Sequence, residues 1–198
     1  AADAAYNAAY GRLGITSYAA VQASNTIMNL FAYAAFSIGD AALILVGERL
    51  GRGDTEGARA LAQKLIRVGI FVGALFGVLV ILLSGPILSL FDLSDRGIFL
   101  ATRVILVKGL FLPLTMFIVI HITGTLRSGG DTKFAMFCEV GTMWLIGVPL
   151  AFLGALYFHL PVYAVVLLVQ AESLVKSLIL QKRYRSGKWL KNMIQGME

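Results

Sequence analysis

The residues of this sequence with the most telling chemistry lie on one line. Gln22, Asn25, Thr26, Asn29, Tyr33, Ser37 and Asp40 interrupt an otherwise apolar run, and at about 100° per residue all fall within roughly 60° of a common helical face. Ile27, Phe31, Ala34, Ile38 and Leu45 occupy another side of the same helix. Amide and carboxylate groups cost free energy in hydrocarbon, so this stripe must face protein or a water-filled cavity. Asp40 stands nine residues before Arg49, about 13 Å of helix from the first cytoplasmic charge. It reads as a functional carboxylate facing a cavity or as a structural one held by a neighbouring helix. Glu139 lies six residues past Lys133, about 9 Å, close enough to reach the interface. The candidate substrate- or cation-binding residues are therefore Asp40, Asn25, Asn29, Gln22, Tyr33 and Glu139. Glu172 and Lys176 have the i, i+4 spacing of an ion pair, and Lys108, just over a turn beyond Arg103, can snorkel outward. Gln170, Ser173, Ser177 and Gln181 share a face that lines the same cavity or packs on a neighbour.

Enzymatic chemistry has little to build on. His121 and His159 are the two histidines, on separate segments and outside any HExxH pattern. His121 reads as a hydrogen-bonded bundle residue, one turn from Thr125. No serine occupies a GxSxG elbow, and the single Cys138 excludes both an intrachain disulfide and a thiolate zinc site. No catalytic residue, metal site or cofactor is expected, and the chain does not read as an enzyme.

The elements that must carry the stripe follow from composition. Of 198 residues, 58% are hydrophobic and 14% charged, against about 25% charged in soluble domains. So few charges cannot cover a water-soluble surface, and lipid must supply the solvent. Long runs with few charges, Ile15 to Gly47, Val68 to Phe91, Gly97 to Leu126, Phe134 to Phe158 and Pro161 to Gln181, approach or exceed the roughly 20 residues a spanning helix needs. They are too long and too uniform for barrel strands. Ala1 to Tyr10 is an apolar stub ending at Gly11-Arg12-Leu13-Gly14, expected to be the end of a truncated helix. The expected fold is all-α: a polytopic membrane helix bundle, one six-helix lobe with its first helix cut and five full spans. Residues 1–183 form the membrane lobe, and 184–198 a basic cytoplasmic tail.

Positive charge sets the orientation. Twelve Lys and Arg residues fall on the side holding Arg49, Arg127 and the C-terminus, against Arg12, Arg96 and Arg103 on the other, so the C-terminus is expected to be cytoplasmic in a multi-pass cell-membrane protein. The net charge of +6 serves orientation here and points to no nucleic-acid partner. Two connections on that side look alike, Gly51-Arg52-Gly53-Asp54-Thr55 and Ser128-Gly129-Gly130-Asp131-Thr132. Each reads as a helix reversal in which glycine ends one helix and Asp caps the next. Gly69, Gly73 and Gly77 repeat every fourth residue, a small-residue surface for close packing. Pro113 and Pro149 fall inside spans, where they kink helices.

Three patches carry a family resemblance. Tyr10-Gly11-Arg12-Leu13-Gly14 with Ala19-Ala20, then Val46-Gly47-Glu48-Arg49-Leu50-Gly51-Arg52-Gly53-Asp54, then Leu126-Arg127-Ser128-Gly129-Gly130-Asp131-Thr132-Lys133 resemble the C-terminal half of a multidrug and toxic compound extrusion (MATE) transporter. The resemblance covers the end of the seventh helix of twelve and helices eight to twelve. It implies a partner N-terminal six-helix lobe, a central cavity opening alternately to either side, and export of organic, often cationic, drugs in exchange for sodium ions or protons. It places the polar stripe on the eighth helix. The chain departs from the pattern in three ways, one being Glu48 where the family commonly has glutamine. The acidic residue of the early seventh helix would precede Ala1, and the carboxylate some members carry on the tenth helix aligns with Met116. The reading is a cation-coupled exporter lobe. The alternatives are a lipid-linked oligosaccharide flippase of the wider superfamily, whose cavity needs Arg or Lys, and a non-transporting membrane anchor subunit.

Overall fold

The computed structural model describes the backbone of residues 2–190 and the side chains of residues 4–190, and the secondary structure among them is helical throughout. α1 (Ala2–Gly11) is followed by α2 (Ile15–Gly51), α3 (Thr55–Leu88), α4 (Asp95–Leu126), α5 (Thr132–Tyr157) and α6 (Val162–Arg185). The last five are each long and apolar enough to cross a bilayer. Their outer faces are bare hydrocarbon: Phe71, Leu82, Leu110, Leu145 and Leu178 are all exposed. A soluble domain buries such a band, whereas lipid accepts it.

Two large apolar clusters and a small one at Ala42, Ile66 and Ile120 hold the bundle together. One gathers Ala9, Val21, Ile27, Val80, Val104, Ile105, Val165 and Val166 from α1, α2, α3, α4 and α6. The other gathers Val46, Leu50, Ala58, Ala62, Ile122, Leu126, Leu180 and Trp189 at the opposite end. α3 lies against α4 at backbone contact. A side chain at Gly73 would come within 2.8 Å of the Pro113 Cα, and one at Gly77 would overlap the Gly109 carbonyl. The small-residue stripe is thus the surface on which α4 lies, and backbone contact is what its missing Cβ atoms allow.

Three details go beyond the sequence expectation. α3 runs through Ser84-Gly85-Pro86 to Leu88; Pro86 falls in the last turn, where only two helical residues follow for it to displace. The spans that carry Pro113 and Pro149 contain π-helical turns, Ile120–Leu126 in α4 and Met143–Gly147 and Leu153–Tyr157 in α5. The chain after α6 folds back, with Trp189 fully buried, stacked on Tyr184 at 5.4 Å and donating its indole N–H to the Tyr184 carbonyl. Residues 191–198, the rest of the tail, lie outside the described residues.

The two similar connections fold alike in backbone and differently in side chain. Gly53 (φ 78°) and Gly130 (φ 73°) both take the left-handed conformation that reverses the chain. Asp54 then caps α3 by accepting from the Gly57 N–H at 2.8 Å. Asp131 makes no such cap. Its carboxylate accepts two hydrogen bonds from Arg183 of α6, from Nε at 2.6 Å and Nη2 at 2.9 Å, and the guanidinium lies over the Phe134 ring. A charged bidentate partner outcompetes a backbone amide.

Candidate polar cavity

The turn at residues 12–14, with Gly14 at φ 98°, lets α1 double back beside the first turns of α2 and sets two polar faces opposite each other. Tyr6, Asn7 and Tyr10 of α1, Gln22, Asn25 and Asn29 of α2, Lys108 of α4 and Val166, Val169 and Gln170 of α6 enclose a cavity of about 410 Å³. On α1, α2 and α6 the lining positions recur at three- and four-residue spacing, one face per helix, and α4 contributes Lys108 alone. Gln22 donates its amide to Asn7 Oδ1 at 3.1 Å. Lys108 does not snorkel outward: its ammonium donates to Asn25 Oδ1. Behind the wall, the buried Glu172 carboxylate takes the Lys176 ammonium at 2.6 Å and the Tyr6 hydroxyl at 2.6 Å, with Thr142 Oγ1 3.3 Å away. Gly147 makes room for this group, since a side chain there would overlap both the Tyr6 hydroxyl and the Glu172 carboxylate.

The structure brings together Gln22, Asn25 and Asn29 of the sequence-predicted residues. Tyr33 and Asp40 continue the same face of α2 but lie beyond the cavity, and both are exposed. Asp40 is eleven residues past Asn29, about 16 Å along the helix. Glu139 is exposed on α5, in a separate groove with Arg127, Thr132, Lys133 and Met136. Gln170 joins the cavity wall, whereas Ser177 donates to the Leu174 carbonyl within α6. His121 is fully buried, its Nδ1 2.8 Å from the Phe117 carbonyl and its ring packed on Phe117 and Tyr184. Thr125 bonds the His121 backbone carbonyl rather than its ring. Among the described residues no group of three or more His, Cys, Asp or Glu side chains is placed to hold a metal ion.

Sequence reasoning missed Tyr6, Asn7, Tyr10 and Lys108. The α1 residues were visible as Tyr-Asn-x-x-Tyr at helical spacing. Lys108 was visible as a lone cation inside a span, but its direction depends on Asn25, 83 positions away. The cavity that results is lined by amides, phenols and one ammonium, with an apolar patch at Val166 and Val169. It can hydrogen-bond an organic solute and cover part of its hydrocarbon.

Comparison with known proteins fits this architecture. The MatE family model matches residues 2–153. Over 144 residues the chain is 32% identical to multidrug resistance protein MdtK of Edwardsiella ictaluri (strain 93-146), covering 73% of this chain and 31% of that protein. It is 28% identical over 147 residues to the uncharacterized transporter YisQ of Bacillus subtilis (strain 168), covering 74% and 32%. The chain thus spans about a third of the length of these curated relatives. Its fold superimposes on a MOP superfamily transporter from Pyrococcus furiosus Vc1 (DSM3638), described by the reverse polarity of its binding pocket, with a TM-score of 0.87, 16% identity, all of this chain and 44% of that one. An outward-facing multidrug resistance MATE family transporter matches equally well, with a TM-score of 0.87, 17% identity and the same coverage. A family model spanning most of the chain, together with a multi-pass bundle of this topology, shows that the chain belongs to the MatE family of multidrug and toxic compound extrusion transporters.

Proposed function

We propose that this chain is the C-terminal lobe of an antiporter that exports organic molecules across the cytoplasmic membrane in exchange for sodium ions or protons. It would work by alternating access with an N-terminal six-helix lobe, and its own C-terminus would be cytoplasmic. The observation that carries the reading is the polar cavity of about 410 Å³ walled by four helices inside an otherwise apolar bundle. A volume of this order suits a small organic molecule, and a bilayer-spanning bundle keeps uncommitted amides inside only where they line a cavity or meet protein. In this reading Gln22, Asn25 and Asn29 hold the solute, and Tyr33 and Asp40 carry the polar face onward toward the other lobe. A carboxylate whose affinity for the coupling ion differs between two lobe arrangements would link the two fluxes.

The test is transport by the full-length protein in proteoliposomes. Dye efflux driven by an imposed sodium or proton gradient supports the proposal, and efflux indifferent to both gradients rejects it. The flippase alternative gains from one feature, Lys108, because an anionic lipid-linked sugar needs a basic cavity. A single ammonium in a cavity of about 410 Å³ is a small provision for a diphosphate with its sugars, and the exporter reading stands first.

A further inference from the structure

We infer that Lys108 and Asn25 form an anion-binding subsite, so that the cavity takes the carboxylate or sulfonate end of an amphipathic organic solute. That this solute is the transported one rests on the exporter reading above; the subsite itself rests on the following geometry.

Lys108 is the one charged residue among the lining side chains of residues 4–190, and no carboxylate of those residues lines the cavity. The nearest buried carboxylate, Glu172, stands behind Tyr6 and is neutralised by Lys176 at 2.6 Å. Of the side chains of residues 4–190 that line the cavity, the Lys108 ammonium alone carries charge into it. In a low-dielectric setting such a charge acts with far more force than in water.

The hydrogen-bond direction sharpens the site. An ammonium carries three donors and no acceptor, so the side-chain atom of Asn25 that meets Lys108 must be its carbonyl oxygen. That leaves the Asn25 amide N–H₂ turned from the lysine. Asn25 is the hydrogen-bond partner of Lys108 among the described residues, and the ammonium retains donors for a ligand. An ammonium beside an amide N–H₂ is a pair of donors suited to the two oxygens of a carboxylate. Asn29, Gln170 and Tyr10 add further polar groups around it, and Val166 and Val169 give an apolar surface for the rest of the molecule. An organic cation finds none of this: its charge would meet Lys108 with no carboxylate facing it among the described residues.

The experiment compares two probes on the full-length transporter in phosphatidylcholine nanodiscs, where no anionic lipid competes. Carboxyfluorescein is the anionic probe and tetraphenylphosphonium the cationic one. Wild-type protein should bind carboxyfluorescein. Lys108→Gln should weaken that binding about tenfold or more, the scale of one hydrogen bond to a charged group, and should not weaken tetraphenylphosphonium. Lys108→Arg should restore anion binding. Asn25→Asp, which supplies the lysine with an internal carboxylate, should lose the anion as Lys108→Gln does. Anion binding that is absent in the wild type, or unchanged in Lys108→Gln, overturns the subsite, as does tetraphenylphosphonium binding that Lys108→Gln leaves unchanged and stronger than carboxyfluorescein binding. Lys108-dependent binding without gradient-driven transport would reject the antiporter and leave the subsite standing. Gradient-driven transport of carboxyfluorescein unaffected by Lys108→Gln would do the reverse.

Discussion

Arg183 of α6 grips Asp131 at the start of α5 through two hydrogen bonds of 2.6 and 2.9 Å, tying the last membrane helix to the connection between α4 and α5. Asp131 is buried and the Arg183 side chain only 22% exposed, so this pair is worth more than a surface ion pair. Asp131→Asn should lower the stability of the full-length protein by about 2 kcal/mol or more, because it leaves a partly buried guanidinium without its counter-charge. Arg183→Lys should not rescue it, since an ammonium cannot reproduce the two-pronged contact or the stacking on Phe134. Asp54→Ala in the matching connection removes a cap and an exposed ion pair and should cost about 1 kcal/mol. Thermal unfolding in detergent ranks the three, and equal losses at Asp54 and Asp131 would contradict the assignment.

The α3–α4 contact makes a second prediction. Gly77→Leu has no room against the Gly109 carbonyl, and overpacking of this kind costs about 1–3 kcal/mol. Gly85→Ala, on the same helix with nothing within 4 Å of the added carbon, should not lower the melting temperature, since alanine is the better helix former. A Gly77→Leu protein as stable as Gly85→Ala would mean that the helices are not held at backbone contact.

Glu172 and Lys176 are 7% and 10% exposed. Lys176→Met should destabilise strongly, by about 3–5 kcal/mol, because it strands a buried carboxylate. The double variant Glu172→Gln with Lys176→Met should recover most of that loss, since neither residual group is charged. Tyr6→Phe should cost about 1–3 kcal/mol through the lost hydrogen bond to Glu172. A double-mutant cycle with no coupling between positions 172 and 176 would show that the pair is solvated in the working protein.

These variants also mark what could be read in advance. Membrane-spanning helices, their number and the Gly-rich reversals follow from runs of sparse charge and from glycines before Asp-Thr, features local enough for sequence to carry. The polar face of α2 was legible for the same reason. What was not legible depends on distant partners. Asp54 and Asp131 have the same local signature, and only Arg183, 52 positions on, separates a cap from an ion pair. Lys108 obeys the same rule: snorkelling and inward bonding are equally open to a lysine inside a span until Asn25 is placed opposite it. The π-helical turns have no dependable sequence mark beyond a proline nearby.

The last prediction concerns the far end of the polar face. Gly39 packs against Thr123, with only 3.2 Å between that side chain and a Cβ built at Gly39, so the α2 backbone is held against the π-helical turn of α4 just where Asp40 projects outward. The Asp40 side chain is exposed on the described chain, and its removal should not loosen the lobe. Asp40→Asn should therefore leave expression and melting temperature unchanged while reducing gradient-driven dye export, by about tenfold if the carboxylate contributes one charged hydrogen bond to ion or substrate binding. Asp40→Glu should retain part of the activity, and Ser37→Ala, one turn earlier on the same helix, should retain nearly all of it. Export by Asp40→Asn at the wild-type rate would remove this carboxylate from the transport cycle and leave the Lys108 cavity as the polar site of the lobe.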